Sequence, residues 1–173
     1  MERLTEGGVQ LLSVHWAYLR VRLMLTHKQQ ERLSVSLNTF GAIVTFAIDL
    51  EGAMQRFYEE ASAIGGDVAE TFENYAKKSG KRKQRLLAVR QDNVTEMVLE
   101  PISGLNQGDY APNAATPTDL VNAVKEAIRL EQRAERFYTD AGPKLNVTEP
   151  RRAFQKLAQE NAERLAELRD LAR

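Results

Sequence analysis

The chain of 173 residues contains no cysteine and only two histidines, His15 and His27. The lack of thiols excludes disulfide bonds, cysteine-ligated zinc, iron–sulfur clusters and a cysteine nucleophile. The two histidines both lie near the N-terminus, so histidine-rich metal sites and most Ser-His triads are excluded as well. Whatever chemistry the chain performs must rest on carboxylates, hydroxyls, amides and basic side chains.

The sequence also lacks a long apolar run and an excess of charge of either sign. Because no stretch reaches the roughly 18 apolar residues of a membrane span, we expect no transmembrane helix. Residues 11–26 come nearest to a signal peptide, but they carry charged side chains and no clear small-residue cleavage site, so a cytoplasmic location is expected. Acidic and basic residues number 24 each, and this balance gives no global field that favours nucleic acid or membrane. The basic run in residues 77–85 has no interleaved aromatic residue and is best explained as a solvated helix face.

An internal duplication organises what remains. Residues 41–62 and residues 121–142 are identical at nine of 22 aligned positions without a gap. Unrelated segments would share about one or two positions, so the match indicates a repeat, and repeats define architecture. Each copy carries Ala-Ile-x-Leu-Glu followed by Arg-Phe-Tyr.

The first copy of the repeat predicts a helical hairpin. Apolar residues recur at three and four positions, which is the helical period. The first helix is expected to begin at Asn38 or Thr39, either of which can cap it, and to end at the glycine pair 65–66. The second helix is expected to start after Asp67 and to run to about Met97.

The second copy predicts another hairpin after a long connection. Residues 100–117 are rich in Pro, Gly and Asn and show no helical or strand period, as expected of a crossover between two halves of a bundle. The third helix is expected to begin with Thr116 as its cap and to end at residues 142–143. The fourth helix is expected to run from Thr148 to the C-terminus. Residues 1–37 have no counterpart in the repeat and are interpreted as an N-terminal extension, either a short helix or disordered.

The predicted inner faces of the second and fourth helices contain polar residues at matching positions. Phe72 aligns with Phe154 at an offset of 82, and the same offset aligns the polar residues that follow. Glu51 and Glu131 fall on the inner sides of the first and third helices. A symmetrical bundle would bring six side chains towards one central layer: Glu51, Ser79, Arg82, Glu131, Asn161 and Arg164.

The same residues carry a resemblance to a known group. Glu51 is followed by Tyr58 seven residues on, and Glu131 is followed by Tyr138 at the same spacing. The second helix opens with Phe-x-x-Tyr-Ala and the fourth with Phe-x-x-Leu-Ala. Over residues 38–173 this pattern resembles the ferritin-like superfamily, and most closely the rubrerythrin-type di-iron proteins. The resemblance implies an all-α, ferritin-like four-helix bundle made of two duplicated helical hairpins joined by a long crossover. It also implies iron or manganese held by one Glu from each of the first and third helices and a Glu-x-x-His from each of the others.

The chain departs from that pattern where the Glu-x-x-His pairs are expected. Ser79-x-x-Arg82 and Asn161-x-x-Arg164 stand in their place. Arginine stays protonated and offers no lone pair to a metal. Four of the six metal ligands that the resemblance implies are therefore missing. We therefore predict a metal-free core in which two arginines pair with two glutamates. Two alternatives remain: the glutamates reach solvent and the arginines snorkel, or a register one residue away turns Glu160, Glu163 or Lys78 inward.

Tyr58 and Tyr138 fall at positions that usually hydrogen-bond the ligand shell in that group. Ordinary packing with one hydrogen bond explains them equally well. We include them in the predicted core cluster with the six residues above.

Two functions follow from this reading of the sequence. The first is a non-catalytic structural or interaction protein, a homodimer with no cofactor. The alternative is a rubrerythrin-like di-metal oxidoreductase, peroxidase or ferroxidase with an atypical site, in which Glu51 and Glu131 ligate iron or manganese. The lack of cysteine for a rubredoxin-type electron donor counts against the alternative.

Overall fold

The computed structural model describes residues 36–93 and 101–172, and this part of the chain confirms the all-α prediction. Its only β-type pairing is an isolated bridge between Ser36 and Asn106. A 3-10 turn, Gly142–Lys144, joins the last two helices. The helices are α1 (Phe40–Ser62), α2 (Ala69–Asp92), α3 (Gln107–Tyr110), α4 (Leu120–Ala141) and α5 (Thr148–Leu171).

The start of α1 follows the prediction. The side chain of Thr39 accepts a hydrogen bond from the backbone N–H of Ala42 at 3.1 Å, which satisfies one of the free donors at the helix start. The helix ends at Ser62, and Gly65 and Gly66 follow with φ of +83° and +82°. Backbone of that kind favours glycine, so the glycine pair forms the turn after the helix, whose last residue lies three positions before the predicted end at Gly65.

Helix α2 folds back onto α1 and begins two residues after Asp67. Its described length ends at Asp92, and the predicted end near Met97 lies outside the described residues. The predicted N-terminal extension also lies almost wholly outside them. Leu37, at its end, is buried and donates its N–H to the carbonyl of Leu105 at 3.1 Å.

The connection is more structured than predicted. Residues 107–110 form the short helix α3, whose first turn is capped by Asn106 through the N–H of Gly108 at 3.3 Å. Tyr110 is buried and packs edge-on against Phe137 at a centroid distance of 5.5 Å. Helical periodicity cannot show in four residues, so the sequence pattern missed this element.

The predicted cap of the following helix was wrong by three residues. Helix α4 begins at Leu120, and Asp119 is its cap, accepting from the N–H of Asn122 at 2.9 Å. This hydrogen bond holds the pKa of Asp119 below its ordinary value. Thr116 and Pro117 therefore belong to the connection. Asp119, which lies next to the apolar stripe, is also a residue type that caps helices.

Helix α5 packs against α4, and the two hairpins meet chiefly through α1 and α4. Helix α5 starts at Thr148 as predicted. Leu171, the last residue of this helix, is 47% exposed. Over the described residues, no helix is long and apolar enough to cross a bilayer.

Candidate functional site

All eight residues of the predicted core cluster lie in the interior. Each of them is at most 3% exposed. The two glutamates therefore do not reach solvent, and the two arginines do not snorkel. The cluster is contributed by all four long helices: Glu51 and Tyr58 by α1, Ser79 and Arg82 by α2, Glu131 and Tyr138 by α4, and Asn161 and Arg164 by α5.

The tyrosines and glutamates pair crosswise between the hairpins. Tyr138 donates its hydroxyl to Oε1 of Glu51 at 2.8 Å, and Tyr58 donates to Oε1 of Glu131 at 2.7 Å. Each tyrosine thus serves the glutamate of the other repeat, a pairing that the spacing along one helix could not reveal. Both carboxylates receive a charge-assisted hydrogen bond from a hydroxyl that has no contact with solvent.

One nitrogen of each arginine faces the buried layer. Nη1 of Arg164 lies 3.0 Å from Oε1 of Glu131 and 3.2 Å from Oγ of Ser79. Nη1 of Arg82 donates to Oδ1 of Asn161 at 2.8 Å and lies 3.8 Å from Oε1 of Glu51. The contact between Arg82 and Glu51 is an ion pair without a hydrogen bond, because 3.8 Å exceeds the usual range.

The other edge of Arg82 is occupied by a residue outside the predicted cluster. Nε and Nη2 of Arg82 each lie 2.8 Å from Oε2 of Glu160. The side chain of Glu160 is 29% exposed, so Arg82 joins the core layer to the groove between α2 and α5. The two arginines and Asn161 stay buried while Glu160 makes this contact. The contact therefore does not indicate the one-residue shift in register described above.

The corresponding edge of Arg164 has no carboxylate. Nε and Nη2 of Arg164 are buried and have no hydrogen-bond partner. The guanidinium instead lies over the ring of Tyr75, with its carbon 4.7 Å from the ring centroid, and such a cation–π contact is worth about 1–2 kcal/mol. The hydroxyl of Tyr75 donates to Oε2 of Glu167. At the position that the repeat makes equivalent to Glu160, α2 carries Lys78.

Burial and charge set the protonation of the layer. Burial raises the pKa of Glu51 to about 6, although Arg82 and Tyr138 oppose the rise. Burial and the charge of the partner glutamate hold the pKa of Tyr58 and of Tyr138 well above the ordinary value. Burial alone would lower the pKa of Arg164, but Glu131, Tyr58 and Glu51 together outweigh it, and the pKa lies above its ordinary value. The cluster thus contains a guanidinium that stays protonated beside carboxylate groups.

Three further polar atoms of the layer have no hydrogen-bond partner. They are Oε2 of Glu51, Oε2 of Glu131 and Nδ2 of Asn161. An unpartnered buried polar atom costs about 1–3 kcal/mol. The layer therefore retains capacity for hydrogen bonds after all its direct contacts have formed.

The donors present do not fit the di-iron or di-manganese centre that the family resemblance implies. Such ions prefer carboxylate and imidazole donors, and over residues 36–93 and 101–172 no group of three or more acidic, histidine or cysteine side chains is placed to hold a metal ion. Arg164 places a positive charge 3.0 Å from Glu131, one of the two candidate ligands. A guanidinium that stays protonated repels a metal ion from that position.

Sequence reasoning missed Tyr75, Glu160 and Glu167 as part of this site. Glu160 and Arg164 are four residues apart on one helix, but Glu160 bonds to Arg82 on another. One signal was present in the sequence. The offset of 82 that aligns the two arginines also aligns Lys78 with one glutamate and Arg85 with another. The two helices therefore differ in charge next to the predicted site.

Comparison with known proteins identifies no family. No protein-family model and no curated protein matches this chain. A solved structure of a hypothetical protein from Pyrococcus furiosus is similar, with a TM-score of 0.58 and 19% identity over 75% of this chain and 85% of that one. At this identity the likeness concerns the fold alone. It shows that this helical arrangement also occurs in a solved structure.

Proposed function

We propose that the chain is a ferritin-like four-helix bundle of two duplicated hairpins whose di-metal site is replaced by glutamate–arginine pairs. In this proposal it acts as a non-catalytic structural or interaction protein, in the cytoplasm and as a homodimer. One observation carries the proposal: two protonated guanidinium groups lie within 3.0 Å and 3.8 Å of the two buried glutamates. Two positive charges thus stand where the resemblance places two metal ions.

The matching contacts of the two halves support the duplicated architecture. Each arginine directs Nη1 towards the glutamate of its own half and towards the small polar residue of the other half. Each tyrosine bonds to the glutamate of the other half. A duplicated pair of hairpins related by a twofold axis produces this set of contacts.

Metal content of the purified protein tests the proposal. After expression with iron and manganese available, elemental mass spectrometry is expected to find below about a tenth of an ion per chain, because the donor set does not suit these ions. The Glu51→Gln variant is the matched control and should give the same background value. One or two ions per chain, lost in Glu51→Gln, would instead favour the oxidoreductase alternative.

The homodimer stays a prediction that needs its own measurement. Large hydrophobic side chains that remain exposed on the described surface include Val121 at 62% and Ile64 at 37%. Light scattering coupled to size-exclusion chromatography gives the mass of the particle in solution. A mass of one chain over a wide concentration range would remove the homodimer from the proposal without affecting the metal-free core.

A further inference from the structure

The groove between α2 and α5 differs in charge from one wall to the other. It has a volume of about 330 Å³ and is lined by six basic and three acidic side chains. The arginines of the buried layer, Arg82 and Arg164, form part of its lining. The offset of 82 pairs three basic residues of α2 with three acidic residues of α5: Lys78 with Glu160, Lys81 with Glu163, and Arg85 with Glu167.

The structure contains an occupied example of the site that we infer. At Arg82, Nε and Nη2 form the side-on fork of the guanidinium, and both contact one oxygen of Glu160 at 2.8 Å. Charge-assisted contacts of this kind between a guanidinium and a carboxylate are stronger than hydrogen bonds between neutral groups. The internal carboxylate on α5 therefore shows what the fork of an arginine at this groove binds.

The same fork of Arg164 has no such contact in the described part of the chain. Its Nε and Nη2 have no hydrogen-bond partner among residues 36–93 and 101–172, while its Nη1 is engaged with Glu131 and Ser79. The side chain that the repeat places opposite is Lys78, which is exposed and cannot accept a hydrogen bond. Arg164 thus offers two buried donors, and α2 supplies no acceptor for them.

We propose that the groove binds a small organic carboxylate whose oxygens accept from Nε and Nη2 of Arg164. The basic wall of α2 attracts such an anion, since Lys78, Lys81 and Arg85 form no ion pair with any described residue. The internal example at Arg82 is a carboxylate, which favours a carboxylate over a phosphate at Arg164. The carboxylate thus occupies at Arg164 the position that Glu160 occupies at Arg82.

Entry to the fork requires a local movement. Nε and Nη2 of Arg164 are closed to solvent, and the rings of Tyr75 and Tyr58 lie against the guanidinium, with centroids 4.7 Å and 6.0 Å from its carbon. Tyr75 is tied to Glu167, a surface residue of the groove, by one hydrogen bond. Displacement of this pair would open the guanidinium to the groove.

The Lys78→Glu variant tests the proposal because it places an internal carboxylate opposite Arg164. Thermal unfolding is followed in sodium glutarate and in sodium chloride at equal ionic strength, and calorimetry gives the affinity. The wild-type protein is expected to show a saturable rise in its unfolding midpoint with glutarate only. Lys78→Glu is expected to bind glutarate about tenfold more weakly or worse and to unfold at a higher temperature than the wild type without ligand.

Lys77→Glu is the matched control. It makes the same charge change on the neighbouring residue, which is exposed and lies outside the groove, and it should keep the wild-type response. The proposal is overturned by a wild-type midpoint that responds equally to glutarate and chloride, or by a loss of binding in Lys77→Glu that equals the loss in Lys78→Glu. An equal response of the wild type to inorganic phosphate would overturn the assignment to a carboxylate.

Discussion

Replacement of Arg164 by leucine probes the central feature of this fold, the buried pair with Glu131. Arg164 is 3% exposed, and its Nη1 lies 3.0 Å from a carboxylate that is fully buried. In Arg164→Leu that carboxylate keeps only the hydroxyl of Tyr58. Removal of one partner from a buried ion pair destabilises a protein by about 3–5 kcal/mol, because it leaves an uncompensated charge.

Urea unfolding is the appropriate assay for this variant. With a slope of roughly 2 kcal/mol per molar urea, the midpoint should fall by about 2 M. Arg152→Leu removes an exposed arginine from the same helix, and as the matched control it should change the unfolding free energy by less than about 0.5 kcal/mol. The slope must stay constant for the comparison to measure stability.

A double variant separates the ion pair from general packing. Glu131→Leu together with Arg164→Leu removes both charges, and replacement of a whole buried pair by apolar residues is often neutral or stabilising. The double variant should therefore be more stable than either single variant, which requires a coupling energy larger than the loss in either single variant, that is above about 3 kcal/mol. A loss below about 1 kcal/mol in Arg164→Leu, or additive effects in the double variant, would refute the reasoning.

Three other outcomes follow from the contacts of the site and of the helix starts. Burial raises the pKa of Glu51 from 4.5 to about 6, so the stability contributed by its neutral form is present below pH 4.5 and is lost as the pH rises through about 6. Between pH 4.5 and pH 7, the difference in unfolding free energy between Glu51→Gln and the wild type, measured by urea melts, should therefore shift by about 2 kcal/mol in favour of the variant. Tyr58→Phe removes a hydroxyl that donates to a buried carboxylate at 2.7 Å and should lower the unfolding free energy by about 1.5–3 kcal/mol. Asp119→Ala should lower it by about 1 kcal/mol through loss of the cap, and an equal loss in Thr116→Ala would contradict the assignment of that cap.

The repeat explains why so much of the core could be predicted. Helical periodicity places Glu51 on the inner side of one helix, and the second copy places Glu131 in the same way. A glutamate on the inner side of the helix in both copies is harder to reconcile with solvent exposure than a glutamate in one copy alone. The repeat also aligned Arg82 with Arg164, and burial of both follows from the apolar stripe to which they belong.

Contacts between helices could not be predicted, because periodicity describes one helix at a time. The crosswise bonds of the tyrosines depend on how α1 and α4 lie against each other. The cap at Asp119 and the short helix α3 depend on two or three residues only, and so little sequence carries no periodic signal. Glu160 was placed outside the core because it lies off the stripe of α5, but a long arginine side chain reaches it there.

The two halves share their inner chemistry and differ at the groove, and this difference explains the unequal ion pairs. Glu160 draws Arg82 towards the groove, so Nη1 of Arg82 stays 3.8 Å from Glu51. No such carboxylate acts on Arg164, and its Nη1 approaches Glu131 to 3.0 Å. A carboxylate bound at this fork would make Arg164 resemble Arg82 and would lengthen its contact with Glu131. Occupancy of the groove and strength of the buried ion pair would therefore be coupled through one guanidinium, and a ligand at the surface would act on the buried layer.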